Sequence, residues 1–313
     1  MGQKMKILLI GLGSIGRRHL KHLQSIENVT LAALRTNKGA RKEKSDILEF
    51  FSVEDALSFQ PNGVIISNPT ALHVQTALPF LKAGVKVLIE KPIADTLAEA
   101  TLLTAFSEQI RVAYCMRFSP LVVKLTEIFA NDPPFKISFK RSYYLPKWHP
   151  YADYTKEYTA IKALGGGVIR TLSHEIDMAL HWFGEPQSIK GVTDRLSFLD
   201  IDTDDFAFFT IKTKSGARVN FELDFFSPIN RNEGEAFTSK GLYYWTMEGI
   251  WYTPYESNKS EALFKFTTDA IDEMYQAQLK DFADFILHGG STNATLKEAV
   301  GVLALIQHVE QQS

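Results

Sequence analysis

Lys6-Ile-Leu-Leu-Ile10 runs directly into Gly11-Leu-Gly13-Ser-Ile-Gly16 and then Arg17-Arg-His-Leu-Lys-His-Leu23. The first of these is a short, mostly apolar run ended by glycine, the pattern of a strand buried on both faces of a parallel sheet. Residues Ile15–Ser25 read as a helix. Between them the glycines stand as GxGxxG. In this context the first glycine permits a tight turn, the second lets a pyrophosphate approach the backbone, and the third lets helix pack on strand. The helix start then offers amide N–H groups and a partial positive charge to phosphate. Gly11, Gly13, Ser14, Ile15 and Gly16 are therefore candidate dinucleotide-binding residues.

Outward from this stretch the alternation continues. Apolar runs at Val29–Leu34, Gly63–Ser67, Val85–Ile89 and Arg111–Cys115 are separated by helix patterns at Val53–Phe59, Leu72–Ala83 and Leu97–Glu108. Strands spaced by helices of this length imply right-handed crossovers and a parallel sheet covered on both faces. The expectation is an α/β Rossmann domain, a doubly wound parallel sheet over residues 1–120. Cofactor choice is set near the end of its second strand, where an NAD site places an acidic residue on the ribose hydroxyls. This chain has Arg35-Thr36-Asn37-Lys38 there, with Arg41 close behind and no carboxylate in the run. Arg35 and Thr36 thus point to NADP, with NAD as the alternative.

After residue 120 the pattern changes. Pro133-Pro134 ends the helix Leu121–Phe129, Phe135–Tyr144 alternates as a strand, and Leu145–Leu164 is irregular and aromatic. Gly165-Gly-Gly167 opens a helix expected to run to about Phe183, stopped by Gly184 and Pro186. From Ser188 to Tyr252 the chain is mostly β-type. Val219, Phe221, Leu223 and Phe225 alternate with Asn220, Glu222 and Asp224, a sheet with one buried face. Residues 121–313 are expected to form an α+β domain with a largely antiparallel open sheet for substrate binding and oligomerisation. Its last helices, Met274–Leu287 and Leu296–Val309, are able to pack back on the Rossmann domain.

Composition narrows the function. The chain has 313 residues, 45% hydrophobic and 22% charged, ordinary values for a soluble two-domain protein. With 34 basic and 36 acidic residues its net charge is −2, which argues against nucleic acid or an anionic membrane as partner. No segment approaches the ~20 apolar residues of a membrane span, and the N-terminus lacks a signal-peptide pattern; the sequence reads as cytoplasmic. The single cysteine, Cys115, sits in an apolar run as an inert thiol and allows no disulfide. The eight histidines show no HExxH spacing, and no metal is expected.

Three further features carry chemistry. Glu90-Lys91-Pro92 follows the strand Val85–Ile89, at the sheet edge where open α/β folds bind ligands; an ammonium there can polarise a hydroxyl or carbonyl. On the helix after Gly167, Arg170, His174, Asp177 and His181 are spaced by four, three and four, so they are expected to share one face. His174 suits a proton acceptor near neutral pH. Tyr144, Trp148 and Tyr151, in a stretch crowded with aromatic rings, suit the apolar patches and hydroxyls of a sugar ring.

The glycine loop, Asn68-Pro69-Thr70 with His73, Glu90-Lys91-Pro92, Arg117-Phe118, and Gly165-Gly-Gly167 with His174-Glu-Ile-Asp177 occur in that order. As a set they resemble the glucose–fructose oxidoreductase / inositol dehydrogenase / MocA family of NAD(P)-dependent sugar and cyclitol dehydrogenases. The resemblance implies that Lys91 contacts the reacting hydroxyl as a catalytic residue and that Lys91–Pro92 is a cis peptide. It implies that Asn68, Pro69, Thr70 and His73 lie beside the nicotinamide ribose, with Glu90 and Arg117 also at the cofactor. His174 is then the second catalytic residue, and Asp177, Arg170, Thr171 and Arg117 join the aromatic residues in binding substrate. It also implies a homodimer or homotetramer. One departure stands out: many members carry an aspartate one turn before this histidine, where this chain has Arg170 and Thr171. That opens the alternative of a non-catalytic NAD(P)-binding regulator or scaffold on the same fold.

Overall fold

The computed structural model describes residues 5–36, 45–266 and 270–312. The chain divides into two compact units. One comprises residues up to Phe118 together with Ile271–Val300; the other comprises Ser119–Ala270 and the residues from Gly301 on. The first unit therefore includes most of a helix, Ala270–His288, that lies far along the chain.

The first unit is built on β1 (Met5–Ile10), β2 (Val29–Leu34), β3 (Leu48–Phe50), β4 (Gly63–Ile66), β5 (Lys86–Ile89) and β6 (Ile110–Val112). They lie in the order β6-β5-β4-β1-β2-β3 and pair in parallel, with the short strand Ala294–Thr295 antiparallel on β6. This is the doubly wound sheet that the alternating pattern implied. Connecting helices are α1 (Ser14–Leu23), α2 (Val53–Ser58), α3 (His73–Lys82) and α4 (Leu97–Thr101). The central strands are buried: Ile7, Leu8, Leu9, Val64, Ile65 and Ile66 are inaccessible to solvent. Each such side chain contributes roughly 1.5–3 kcal/mol by leaving water. Leu279, Phe282 and Phe285 of Ala270–His288 join the core cluster of Ile7, Leu9, Ile65 and Leu88 on one face of the sheet. The order of strands reverses between β1 and β4, the point where such sheets open a ligand crevice at their carboxyl ends.

The second unit has eight strands: β7 (Lys136–Tyr144), β8 (Pro186–Asp194), β9 (Phe206–Thr213), β10 (Arg218–Asp224), β11 (Phe226–Phe237), β12 (Gly241–Thr246), β13 (Gly249–Pro254) and β14 (Glu261–Lys265). Their order is β14-β13-β12-β11-β7-β10-β9-β8, antiparallel except for the β7–β10 pair. The helices are α5 (Pro120–Asn131), α6 (Leu145–Trp148), α7 (Val168–Thr171) and α8 (His174–Phe183). Val219, Phe221, Leu223 and Phe225 are buried, as their alternation required. Aromatic rings knit this face: Phe209 stacks on Phe221 at 4.3 Å, and Phe139 stacks on Phe221 and on Trp182 of α8. Trp182 also donates from Nε1 to Thr126 Oγ1 at 2.9 Å, which ties α8 to α5. Among the described residues, no helix is long and apolar enough to cross a membrane.

Candidate functional site

The glycine loop after β1 has the geometry its spacing predicts. Gly11 has φ +89°, a left-handed value that disfavours side chains. A Cβ on Gly11 would also lie 2.9 Å from the carbonyl oxygen of Ser67, at the end of β4. Ser67 Oγ donates to the carbonyl of Gly11 at 2.9 Å, binding the two loops across the sheet's reversal point. A Cβ on Gly16 would sit 2.0 Å from Gly11 O, so only glycine lets α1 pack this closely. Gly13 differs: nothing lies within 4 Å of where its Cβ would be. It is the N-cap of α1 and provides no side-chain cap, so open space faces the uncapped amides of the helix. Asn68 donates from Nδ2 to Thr76 Oγ1 at 2.9 Å, while its buried Oδ1 meets no donor of the protein. An open glycine, uncapped amides and a buried acceptor suit the pyrophosphate and a ribose hydroxyl of a nicotinamide dinucleotide.

Next to this loop the Lys91–Pro92 peptide is cis, as the resemblance implied. His73, the first residue of α3, is buried, and its ring spans two loops: Nδ1 meets Pro92 O at 2.9 Å and Nε2 meets Asn68 O at 2.9 Å. Burial pulls its pKa down, opposed by those two carbonyls. The imidazole thus joins the Asn68-Pro69-Thr70 turn to the Lys91 turn and has both nitrogens occupied in doing so. Thr70 is buried and starts the short turn that leads into α3. Glu90 spans two elements as well. Its Oε1 lies 2.8 Å from His19 Nε2 on α1, and its Oε2 accepts the Lys91 N–H at 3.3 Å. Arg117 is nearly enclosed and pairs with Glu298 at 2.7 Å. Burial pushes the Cys115 thiol up to about 12, so it is no nucleophile at neutral pH.

At the end of β2 the structure adds a residue that reading along the chain misses. Arg35 Nη1 lies 2.8 Å from Glu49 Oε1, and Glu49 sits on β3 opposite Ala33. The same oxygen accepts from the Ser45 N–H at 2.9 Å and the Ser45 hydroxyl at 2.6 Å. These donors, Ser45 first, hold the Glu49 carboxyl down at about 2. A carboxylate does stand beside Arg35, supplied by the neighbouring strand. Thr36 is exposed; Asn37, Lys38 and Arg41 lie outside the described residues.

In the second unit one expectation is corrected. The helix after Gly167 is not continuous to Phe183. α7 is a single turn, and Leu172 (ψ 40°) with Ser173 (φ −83°, ψ 0°) breaks the chain before α8 begins at His174. Arg170 and Thr171 therefore do not share a helical face with His174 and Asp177. Arg170 instead forms a two-pronged pair with Glu310, Nε to Oε1 at 2.6 Å and Nη2 to Oε2 at 2.9 Å, and Thr171 is buried. His174 is half-buried. Glu175 and Asp177, in the first turn of α8, are buried. That position favours negative charge against the helix dipole. Glu175, Asp204 and Glu310 are acidic residues of this region that sequence reading passed over. Asp204 Oδ2 accepts the N–H groups of Val168 at 2.9 Å and Ile169 at 3.2 Å, capping α7. Burial raises its carboxyl to about 6 despite those bonds.

The aromatic stretch packs partly on itself. Tyr143 meets Trp148 edge-on at 4.5 Å, Trp148 stacks on His149, and His149 stacks on Tyr151. His149 is fixed by Glu157 at 2.6 Å. Trp148 and Tyr151 keep exposed surface, and Tyr144 is half-buried ahead of α6. Among the described residues, no group of three or more His, Cys, Asp or Glu is arranged to hold a metal ion.

The chain is similar to known proteins along both units. Residues 5–118 match the oxidoreductase family with an NAD-binding Rossmann fold, and residues 136–244 match the GFO/IDH/MocA C-terminal domain. The rhizopine catabolism protein MocA of Rhizobium meliloti is 23% identical over 97% of this chain and 93% of its own length. A 4-carboxy-2-hydroxymuconate-6-semialdehyde dehydrogenase of a Sphingobium strain is 28% identical, but the match spans only 37% of this chain and 40% of that one. Among solved structures, the UDP-N-acetylglucosamine 3-dehydrogenase GnnA of Acidithiobacillus ferrooxidans superposes with a TM-score of 0.80 at 20% identity, covering 100% of this chain and 98% of that one. With both halves matched, and with the glycine loop and the Lys91 turn where the fold requires them, the chain belongs to the Gfo/Idh/MocA family of NAD-binding oxidoreductases.

Proposed function

We propose that this protein is an NAD(P)-dependent dehydrogenase that moves a hydride between nicotinamide and a secondary hydroxyl or keto group of a sugar, cyclitol or sugar derivative. The observation that carries this reading is the convergence of the open Gly13 loop, Asn68 and Lys91 at the carboxyl edge of one parallel sheet. When bound, nicotinamide supplies the carbon that accepts or gives the hydride. Gly11–Gly16 hold its pyrophosphate, and Asn68 receives a ribose hydroxyl. Lys91 hydrogen-bonds the reacting oxygen and stabilises the negative charge it gains as its proton leaves. His174 takes that proton, with Asp177 one turn on to orient it. Glu175 and Asp177 supply acidic character that Arg170 does not.

NADP is the preferred form in this reading, through Arg35 and Thr36. The preference is small, because a 2′-phosphate must share Arg35 with Glu49. The exposed rings of Trp148 and Tyr151 favour a sugar-like substrate, and the likeness to GnnA directs attention to nucleotide sugars. We place the protein in the cytoplasm as a homodimer or homotetramer. Phe208 and Val192, paired across β9 and β8, are exposed on the outer face of the second unit's sheet and offer apolar surface for such assembly.

The test is nicotinamide absorbance across a panel of polyols, cyclitols and nucleotide sugars. Turnover is expected with at least one, reduced about 100-fold or more in Lys91→Ala and in His174→Ala. The second reading, a regulator that binds cofactor without turnover, is favoured by Arg170, bonded to Glu310, and Thr171 standing where the resemblance implied an aspartate. Tight cofactor binding with no turnover across the panel would establish it.

A further inference from the structure

We propose that Glu310 is a positioning residue: it grips Arg170, and through that grip the last helix splints α7 to α8 across the break between them and sets the place of His174. The proposal rests on the reading of His174 as the residue that takes the proton. α7 is one turn long, too short to hold itself by its own hydrogen bonds. Its N–H groups at Val168 and Ile169 are taken by Asp204, from the loop before β9. The Val168 and Ile169 side chains are inaccessible to solvent, and Thr171 is buried. Arg170, with 12% of its side chain exposed, meets Glu310 from the far end of the chain, Nε to Oε1 at 2.6 Å and Nη2 to Oε2 at 2.9 Å. A planar fork on both carboxylate oxygens fixes direction as well as distance. α7 is therefore held by two carboxylates, one on its first amides and one on its arginine.

The last helix runs from Leu296 to Glu310 without interruption. Near its start it lies against α8, where a Cβ on Gly301 would stand 3.8 Å from Leu180 Cδ1. At its end it holds α7 through Arg170. The two contacts are nine residues apart on the last helix, about 14 Å of helical rise. Across α7 and α8 they are ten residues apart, in the opposite direction. One unbroken helix thus runs antiparallel to two short ones and bridges Leu172–Ser173, where the backbone leaves the helical path (ψ 40° at Leu172). His174 opens α8 directly after that break, so the setting of α7 against α8 decides where its side chain lies. The splint is itself well seated: Val302, Ile306 and Val309 are inaccessible to solvent. Two residues past Glu310, Gln312 accepts the Gly191 N–H at 3.0 Å and donates to Ile189 O at 3.3 Å on the edge strand β8. Arg170 acts in this arrangement through geometry rather than by touching substrate.

Hydrogen exchange of the cofactor-free, full-length protein, read by peptide mass spectrometry, tests the splint without any substrate. The Thr171 and Leu172 amides bond Gly167 O and Val168 O. In Glu310→Ala, peptides covering them are expected to exchange about 10-fold faster or more, with β7 and β10 unchanged. Carbethoxylation of His174 by diethyl pyrocarbonate should quicken about threefold or more, with His149 unchanged. Arg170→Glu combined with Glu310→Arg rebuilds a fork and should return both readouts toward wild type, which neither single reversal should do. With any substrate that turns over, Glu310→Ala should lower kcat about 10-fold or more and leave the cofactor KM unchanged. Faster exchange spread evenly through the second unit, unaltered His174 labelling, or a double variant no better than the singles would overturn the proposal. Should Glu310→Ala fail to fold, Glu310→Gln, which keeps the length of the side chain and one acceptor oxygen, is read in the same way. Absence of turnover in the substrate panel would remove the dehydrogenase reading but leave the exchange and labelling results to decide this one.

Discussion

Gly11–Gly16 and Gly165–Gly167 each turn the backbone into a helix, the first leaving the helix's amides open and the second handing them to Asp204. At Gly13 a side chain would meet nothing within 4 Å. At Gly166 it would meet the carbonyl oxygen of Tyr158 at 2.2 Å, and at Gly167 the Asp204 carboxylate at 2.4 Å. The N–H groups of Val168 and Ile169, which begin α7, are taken by Asp204 Oδ2. Two glycine runs that look alike on the page thus lead into one helix start left open at Gly13 and one closed by the chain's own carboxylate. What separates them is the presence of an acidic residue within reach, a fact of tertiary packing.

The largest effect expected is that of Gly16→Ala. Its new Cβ would press on the backbone oxygen of Gly11, which cannot swing aside like a side chain. A loss of roughly 3 kcal/mol of stability is expected, together with loss of cofactor binding; thermal melting and a dinucleotide titration check both. Unchanged melting would mean that α1 is not packed on the loop as tightly as the comparison requires. Asp204→Asn probes the closed run through pH. Asp204 has a carboxyl raised from 3.8 to about 6, so the folded state binds its proton more tightly than the unfolded chain. Its contribution is best below about pH 4 and is lost as pH rises from there through 6. Over that window the wild type should lose on the order of 2 kcal/mol relative to Asp204→Asn, whose amide oxygen can still cap α7. Parallel stability curves for the two, measured by melting at several pH values, would contradict this. The smallest effect concerns Glu49, a second case of a carboxylate of the chain occupying hydrogen-bond donors, here Arg35 and Ser45. Glu49→Gln should release Arg35 and raise the NADPH-to-NADH affinity ratio severalfold, about 1 kcal/mol. An unchanged ratio would show that Arg35 does not read the 2′-phosphate.

The parts of this architecture that could be read from sequence are those whose cause is local. Ile7–Ile10 had to be a buried strand, the glycines had to form a turn into α1, and Val219, Phe221, Leu223 and Phe225 had to face a core. The place of the Glu90-Lys91-Pro92 turn was legible because it directly follows β5, at the carboxyl edge of the sheet. What escaped depends on partners distant in sequence. The break at Leu172–Ser173 interrupts an apolar stripe that continues unbroken in sequence, so periodicity gave one helix where there are two. The pairing of Arg170 with Glu310, from the last helix, could not be read from residues 140 positions apart. Glu49 was invisible to a reading confined to the end of β2, because the carboxylate arrives from β3. His19 was equally hidden, since nothing in Arg17-Arg-His19 announces a partner 71 residues away.

The claim underlying all of this is that the loop around Gly13 is built to be filled by a dinucleotide and by nothing of the protein's own. Gly13→Val tests it most directly, since the backbone there (φ −70°) accepts a side chain and the space beyond is open. Titration of NADPH and NADH by protein fluorescence, with melting of the cofactor-free protein alongside, gives the answer. The account predicts unchanged melting and an affinity for both cofactors lowered about 100-fold or more. A variant that binds either cofactor as tightly as wild type would contradict it.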